Sequence, residues 1–311
     1  MSVAFVFPGQ GAQTIGMGKA LADAYPAAAE VFDEVDEALG EKLSSLIWDG
    51  EQDELTLTAN AQPALMATSI AALRAMDAEG IGLDRASFVA GHSLGEYSAL
   101  CAAGAISLAD TARLLRIRGR AMQEAVPVGV GAMAALLGLD FEGARSVAED
   151  AATGDMVCQA ANDNDPGQVV VSGHKEAVAA AVDLAKSRGA KRAVLLPVSA
   201  PFHCALMQPA ADAMANALAE VEISAPKVPL VANVRAEAVS DPDVIRDLLV
   251  EQVTGSVRWR ESVMWMVENG VTDIWEIGAG KALIGMVRRI NRELITGAIG
   301  APDDIASLKN V

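Results

Sequence analysis

The sequence predicts an α/β protein with a parallel sheet in its main core and a smaller unit of order βαββαβ inserted into that core. Three observations carry this. Val3-Ala4-Phe5-Val6-Phe7 is a continuous apolar run stopped by Pro8-Gly9, the pattern of a strand buried on both faces. Ser87-Phe88-Val89-Ala90 is a second such run, and it leads through Gly91-His92-Ser93-Leu94-Gly95 into an Ala-rich helical stretch. After Pro127 the texture changes to short strand and helix patterns that alternate βαββαβ.

In chain order, helical patterns follow the first strand over Met17–Ala24 and Ala27–Leu39, then over Ala64–Gly80. The second strand gives way to a helix from about Glu96 to Ala103, and a further helix covers Leu108–Ala125. In the insert, Ala132–Leu137, Val157–Ala161, Val169–Ser172 and Ala193–Pro197 read as strands, with helices over Phe141–Ala152 and Lys175–Arg188. That order is the signature of a ferredoxin-like unit, so residues 127–197 are expected to form a subdomain and residues 1–126 and 198–311 a discontinuous core. The core resumes at Ser199-Ala200-Pro201-Phe202-His203 with a helix to about Val221. A strand near Val228–Asn233, helices over Val244–Val253 and Trp259–Asn269, and a strand at Asp273–Ile277 come next. Gly278-Ala279-Gly280-Lys281 then opens the last helix; it is not a phosphate-binding loop, because Ala282 follows the lysine and the upstream glycine is missing.

Composition narrows the function. Hydrophobic residues make up 52% and charged residues 21%, so a sizeable core is available, while the 4% of aromatics means that Ala, Val, Leu, Ile and Met build it. With 24 basic and 41 acidic residues the formal charge is −17, which repels nucleic acid and anionic lipid. Cys101, Cys158 and Cys204 form no C-x-x-C pair, the usage of a reducing compartment. The N-terminal segment lacks a basic n-region, and no apolar run is long enough to span a bilayer, so the expected setting is the cytoplasm with no membrane partner.

Gly91-His92-Ser93-Leu94-Gly95 is a G-x-S-x-G between strand and helix, the sequence of a nucleophile elbow on an α/β-hydrolase-like core. Such a turn exposes the Ser93 hydroxyl near a helix N-terminus and offers the Leu94 N–H to an oxyanion. A serine nucleophile needs a base, and the chain has three histidines. His92, next to Ser93 in extended chain, points to the other face. His174 opens a helix of the insert, where a surface or capping role accounts for it. His203, in the loop returning to the core, remains as the base. Cys204 reads as a packed thiol.

Several ordered motifs resemble the malonyl-CoA:acyl carrier protein transacylases of bacterial fatty-acid synthesis. They are Phe7-Pro8-Gly9-Gln10-Gly11-Ala12-Gln13, Gln62-Pro63, Gly91-His92-Ser93-Leu94-Gly95-Glu96 and Arg116-Ile117-Arg118-Gly119, followed by Gly167-Gln168-Val169-Val170, Gly173-His174-Lys175, Pro201-Phe202-His203 and Ile277-Gly278-Ala279-Gly280-Lys281. The resemblance implies Ser93 as acylated nucleophile, His203 as base, and the N–H groups of Gln10 and Leu94 as oxyanion hole. It implies Arg118 as the grip on the malonyl carboxylate, a role that suits a bidentate guanidinium. It also implies that the main-chain carbonyl of Gln252 orients the histidine, making a Ser–His dyad. Phe202 departs from the serine common before the base in stand-alone members and resembles the malonyl-selective domains of polyketide synthases.

The expected activity is transfer of malonyl from malonyl-CoA to the phosphopantetheine thiol of acyl carrier protein, with no metal or other cofactor. The rivals are a serine hydrolase such as a thioesterase, the same transfer in a polyketide pathway, and a carrier-binding scaffold without turnover. For an acidic carrier, the candidate docking residues are Lys186, Arg188, Lys191 and Arg192 in the insert and Lys281, Arg288 and Arg289 near the end.

Overall fold

All five residues of Val3–Phe7 (β1) are buried in the computed structural model, which describes residues 2–198 and 200–308. Its side chains alternate between two apolar layers: Phe5 and Phe7 join one cluster, Ala4 and Val6 another. A strand covered on both faces needs this continuous apolar run. The elements that follow are α1 (Lys19–Ala24), α2 (Pro26–Leu39), α3 (Leu43–Asp49), α4 (Gln52–Thr56), α5 (Thr58–Ala78), β2 (Ala86–Gly91), α6 (Leu94–Ala102) and α7 (Leu108–Glu124). Next come β3 (Gly131–Leu137), α8 (Phe141–Ala151), β4 (Cys158–Asp165), β5 (Gln168–His174), α9 (Lys175–Ser187) and β6 (Arg192–Leu195). The chain ends with α10 (Gln208–Ala219), β7 (Leu230–Val231), β8 (Ala238–Val239), α11 (Pro242–Thr254), α12 (Trp259–Glu268), β9 (Asp273–Ile277), α13 (Ala282–Ile290), β10 (Ile295–Ile299) and α14 (Pro302–Leu308).

The protein is α/β, with one mostly parallel sheet and one separate antiparallel sheet. The large sheet has the order β10-β9-β1-β2-β7-β8, parallel except for the β7–β8 pair. The small sheet has the order β4-β5-β3-β6 and is antiparallel throughout. Its outer side packs on α8 and α9 through Leu136, Val147, Val169 and Val178. Asp163 and Asp165 of β4 pair with Arg260 and Arg289, joining the small sheet to α12 and α13, which pack on the large sheet.

Several elements differ from the sequence expectation. The helix expected from Ala64 begins at Thr58 and runs through Pro63. Proline removes the bond to the carbonyl four residues back, and here that carbonyl, of Ala59, accepts from Arg116 Nη1 at 2.6 Å. The strand expected over Val228–Asn233 contracts to Leu230–Val231, and the helix after Lys281 is followed by β10 and α14. The short helices α3 and α4 have no counterpart in the pattern reading. Ser199, at the expected return to the core, lies outside the described residues.

Candidate active site

The end of β2 builds the site. Ser93 has φ 54° and ψ −111°, a strained conformation that costs about 1–3 kcal/mol and persists only when its surroundings enforce it. Both flanking glycines are required by contact. A Cβ on Gly91 would lie 1.9 Å from the carbonyl carbon of Gly95, and one on Gly95 would lie 2.2 Å from the Phe7 oxygen. The helix start therefore crosses directly over the end of β1. Asn233, just past β7, fixes the turn from the other side: its Oδ1 accepts from Ser93 N at 2.8 Å and its Nδ2 donates to Gly91 O at 2.6 Å.

His203 is buried, with φ 58°. Its Nε2 is 2.8 Å from Ser93 Oγ, and its Nδ1 is 2.9 Å from the main-chain oxygen of Gln252. A carbonyl can only accept, so Nδ1 carries the proton and Nε2 is the acceptor facing the serine hydroxyl. Burial first, and then the Arg118 charge, push the imidazole down to about 3, while the Gln252 carbonyl acts the other way. His203 is thus neutral, the form a base needs.

Arg118 sits on α7, 1% exposed. Gly119 allows that position: a Cβ there would meet Thr58 O at 2.6 Å, so α7 can lie close against the start of α5. The guanidinium donates to Gln62 Oε1 at 2.8 Å, to Gln252 Oε1 at 2.8 Å and to Ser93 Oγ at 3.1 Å, and it lies over the Tyr97 ring. It has no carboxylate at hydrogen-bond distance among the described residues, so a positive charge faces the serine.

Leu94 and Gln10 lie close to this centre. Leu94 is the first residue of α6, where the N–H has no intrahelical acceptor, and Gln10 lies in the loop after β1, its side chain held by the Thr58 hydroxyl. Both line the same cavity as Ser93, Arg118 and His203. That cavity is about 400 Å³, with Met133, Ala135, Val170, Leu196 and Phe202 as apolar wall from the small sheet and the loop after it. A larger groove of about 680 Å³, lined by Arg74, Asp77, Cys101 and Lys227, contains none of these residues.

His92 makes no bond to the Ser93 hydroxyl; its Nε2 is 2.9 Å from Asn164 Oδ1, and both residues line the same cavity as Ser93. His174 precedes α9 and accepts from Val157 N at 2.8 Å. Cys204 is buried, its Sγ 3.2 Å from Pro201 O. The Glu276 carboxyl oxygens accept from Leu283 N and Ile284 N, so the start of α13 is already capped. Among the described residues no group of His, Cys, Asp and Glu is arranged to hold a metal ion. Of the basic candidates, Lys186, Arg188 and Arg289 pair with Asp183, Asp150 and Asp165. Three residues that the sequence reading assigned no role also hold the site: Gln62, Asn233 and Glu96. The first and last stand inside quoted motifs, whereas nothing in the local sequence marks Asn233.

Residues 4–293 match the acyl transferase domain family. The chain belongs to that family. Among other members, this acyl transferase is 50% identical over 303 residues to the malonyl CoA-acyl carrier protein transacylase of Bacillus subtilis, covering 97% of this chain and 95% of the relative. The acyl-carrier-protein S-malonyltransferase of Bartonella henselae is similar in structure, with a TM-score of 0.97, 58% identity and coverage of 100% of this chain and 99% of that one. A malonyl-transacylase in complex with its type II PKS acyl-carrier protein matches this acyl transferase with a TM-score of 0.96 and 43% identity over 100% of both chains.

Proposed function

We propose that the protein moves a malonyl group from malonyl-CoA to the phosphopantetheine thiol of acyl carrier protein through an ester on Ser93, as a step of fatty-acid synthesis. The observation that carries this is Arg118: a buried guanidinium 3.1 Å from a serine hydroxyl that is itself 2.8 Å from a neutral imidazole. A malonyl group has a carboxylate next to its reacting carbonyl arm, and a buried guanidinium rewards that charge.

His203 Nε2 takes the Ser93 proton as Oγ bonds to the thioester carbon, and the N–H groups of Gln10 and Leu94 hold the oxyanion. The carbon–sulfur bond breaks and the departing sulfur takes the proton from His203. The carrier thiol then gives its proton to His203, attacks the ester, and restores the Ser93 hydroxyl. One proton and one acyl group move, so the cycle needs no metal or redox cofactor. The Gln252 carbonyl stabilises the transient imidazolium in place of a triad carboxylate.

We also propose residues 127–197 as a subdomain on a core of 1–126 and 198–311, and the cytoplasm as the setting. No helix of the described residues is long and apolar enough to cross a membrane. Of the basic candidates, Lys191, Arg192, Lys281 and Arg288 are proposed for carrier docking, since none of them has an ion pair among the described residues, whereas Lys186, Arg188 and Arg289 do. Transfer to a polyketide carrier is the second reading, favoured by the relative that binds such a carrier.

Assay of malonyl-CoA with a fatty-acid carrier, a polyketide carrier or water as acceptor tests the proposal. Malonyl-carrier should form much faster than free malonate. Release of malonate at an equal rate with and without carrier would make the protein a hydrolase.

A further inference from the structure

Glu96 lies in the first turn of α6, 1% exposed, and takes no part in the steps above. Its Oε2 accepts from Gln252 Nε2 at 2.8 Å and from Asn233 N at 3.1 Å, while Oε1 has no hydrogen-bond partner among the described residues. These two neighbours hold the reacting groups. Gln252 presents its main-chain oxygen to His203, its Oε1 to Arg118 and its Nε2 to Ser93 O at 3.0 Å. Asn233 binds the Ser93 N–H and the Gly91 carbonyl.

We propose that Glu96 is a positioning residue for malonyl transfer, fixing Arg118 against the acyl pocket through the Gln252 amide and fixing the serine turn through Asn233. This rests on the malonyl-transfer reading. Arg118 can only donate and Ser93 O can only accept, so the Gln252 amide must keep its oxygen toward the arginine and its NH₂ toward the serine. Gln252 is fully buried, so the second hydrogen of that NH₂ needs a protein acceptor; Glu96 Oε2 supplies it at 2.8 Å, with Asn233 Oδ1 farther off at 3.4 Å. The charged and titratable groups that interact with the carboxyl are Arg118 from α7 and Tyr97 from its own helix; Gln252 of α11 and Asn233 after β7 present neutral amides. Burial raises Glu96 to about 7, with Gln252, Asn233 and Arg118 opposing. Near neutrality the group thus lies between its ionised and protonated forms, and in either form Oε2 accepts, as the Oε1 of a glutamine would.

Two conservative variants separate reach from charge. Glu96→Asp keeps the carboxyl group but withdraws its oxygens by one methylene, whereas Glu96→Gln keeps the reach and an acceptor. Steady-state transfer would be measured with malonyl-CoA and acetyl-CoA, reading KM and kcat separately, because only the malonyl donor uses Arg118. Glu96→Asp should lower the malonyl-to-acetyl ratio of kcat/KM about tenfold, the size of a lost hydrogen bond to a charged group, with the loss concentrated in the malonyl KM. Glu96→Gln should stay within about threefold of wild type. A wild-type ratio in Glu96→Asp, or a Glu96→Gln variant as impaired as Glu96→Asp, overturns the proposal. If wild-type protein transfers no malonyl group, the functional reading fails instead.

Discussion

Arg118 does two things at the scale of single residues. Its charge waits for a carboxylate, and it also suppresses protonation of His203, second only to burial among the causes. Arg118→Ala should therefore weaken malonyl transfer far more than acetyl transfer, by about 2–5 kcal/mol in kcat/KM, the cost of removing one partner of a buried charge pair. Equal losses for both donors would count against the clamp. The same substitution should move His203 up from about 3 toward the ordinary 6.5, read by NMR titration of the imidazole. The consequence for stability follows in sign. The folded state resists a proton that the unfolded chain accepts at 6.5, so this group makes the protein lose stability as pH falls from about 6.5 toward 3. The slope is at most about 1.4 kcal/mol per pH unit, and Arg118→Ala should narrow that window. At this scale Ser93 and His203 were legible, one from its glycines and the other by elimination among three histidines. Asn233 was not, because its role arises from bonds across 140 positions to Ser93 and has no local pattern.

At the scale of elements, the site depends on two close backbone crossings: the start of α6 over the end of β1, and α7 against the start of α5. Gly95→Ala should destabilise the fold by about 2–3 kcal/mol, since backbone rather than a side-chain end blocks the added methyl. Gly285→Ala, in mid-α13 with nothing nearer than Arg289 Nη1 at 3.9 Å, should be neutral or stabilise by up to about 1 kcal/mol. Thermal unfolding of the two variants checks both; equal midpoints would contradict the close crossing. The long amphipathic helices and the apolar strands were readable because burial imposes a period on them. The start of α5 was missed because Pro63 is an ordinary helix-stop signal, tolerated here since Arg116 takes the orphaned carbonyl. The two-residue strands β7 and β8 are too short to show any period.

At the scale of the whole molecule, the catalytic cavity is shared. The large sheet supplies Ser93 and the loop that carries Gln10, while the small sheet supplies an apolar wall through Met133, Ala135 and Val170 and leads into the loop that carries His203. Asp163–Arg260 and Asp165–Arg289 tie the small sheet to α12 and α13, which pack on the large sheet. The α/β class and the βαββαβ order were legible from pattern alone, but the meeting of the two sheets over one serine was not, since it depends on contacts between distant segments. The account stands on acyl transfer through that serine. The direct measurement is mass spectrometry of the peptide containing Ser93 after brief exposure to malonyl-CoA, followed by a chase with carrier thiol. Ser93 should carry the malonyl group and lose it to the carrier, and His203→Ala should remain unlabelled. A label on any other residue, or one that the carrier cannot remove, would contradict the account.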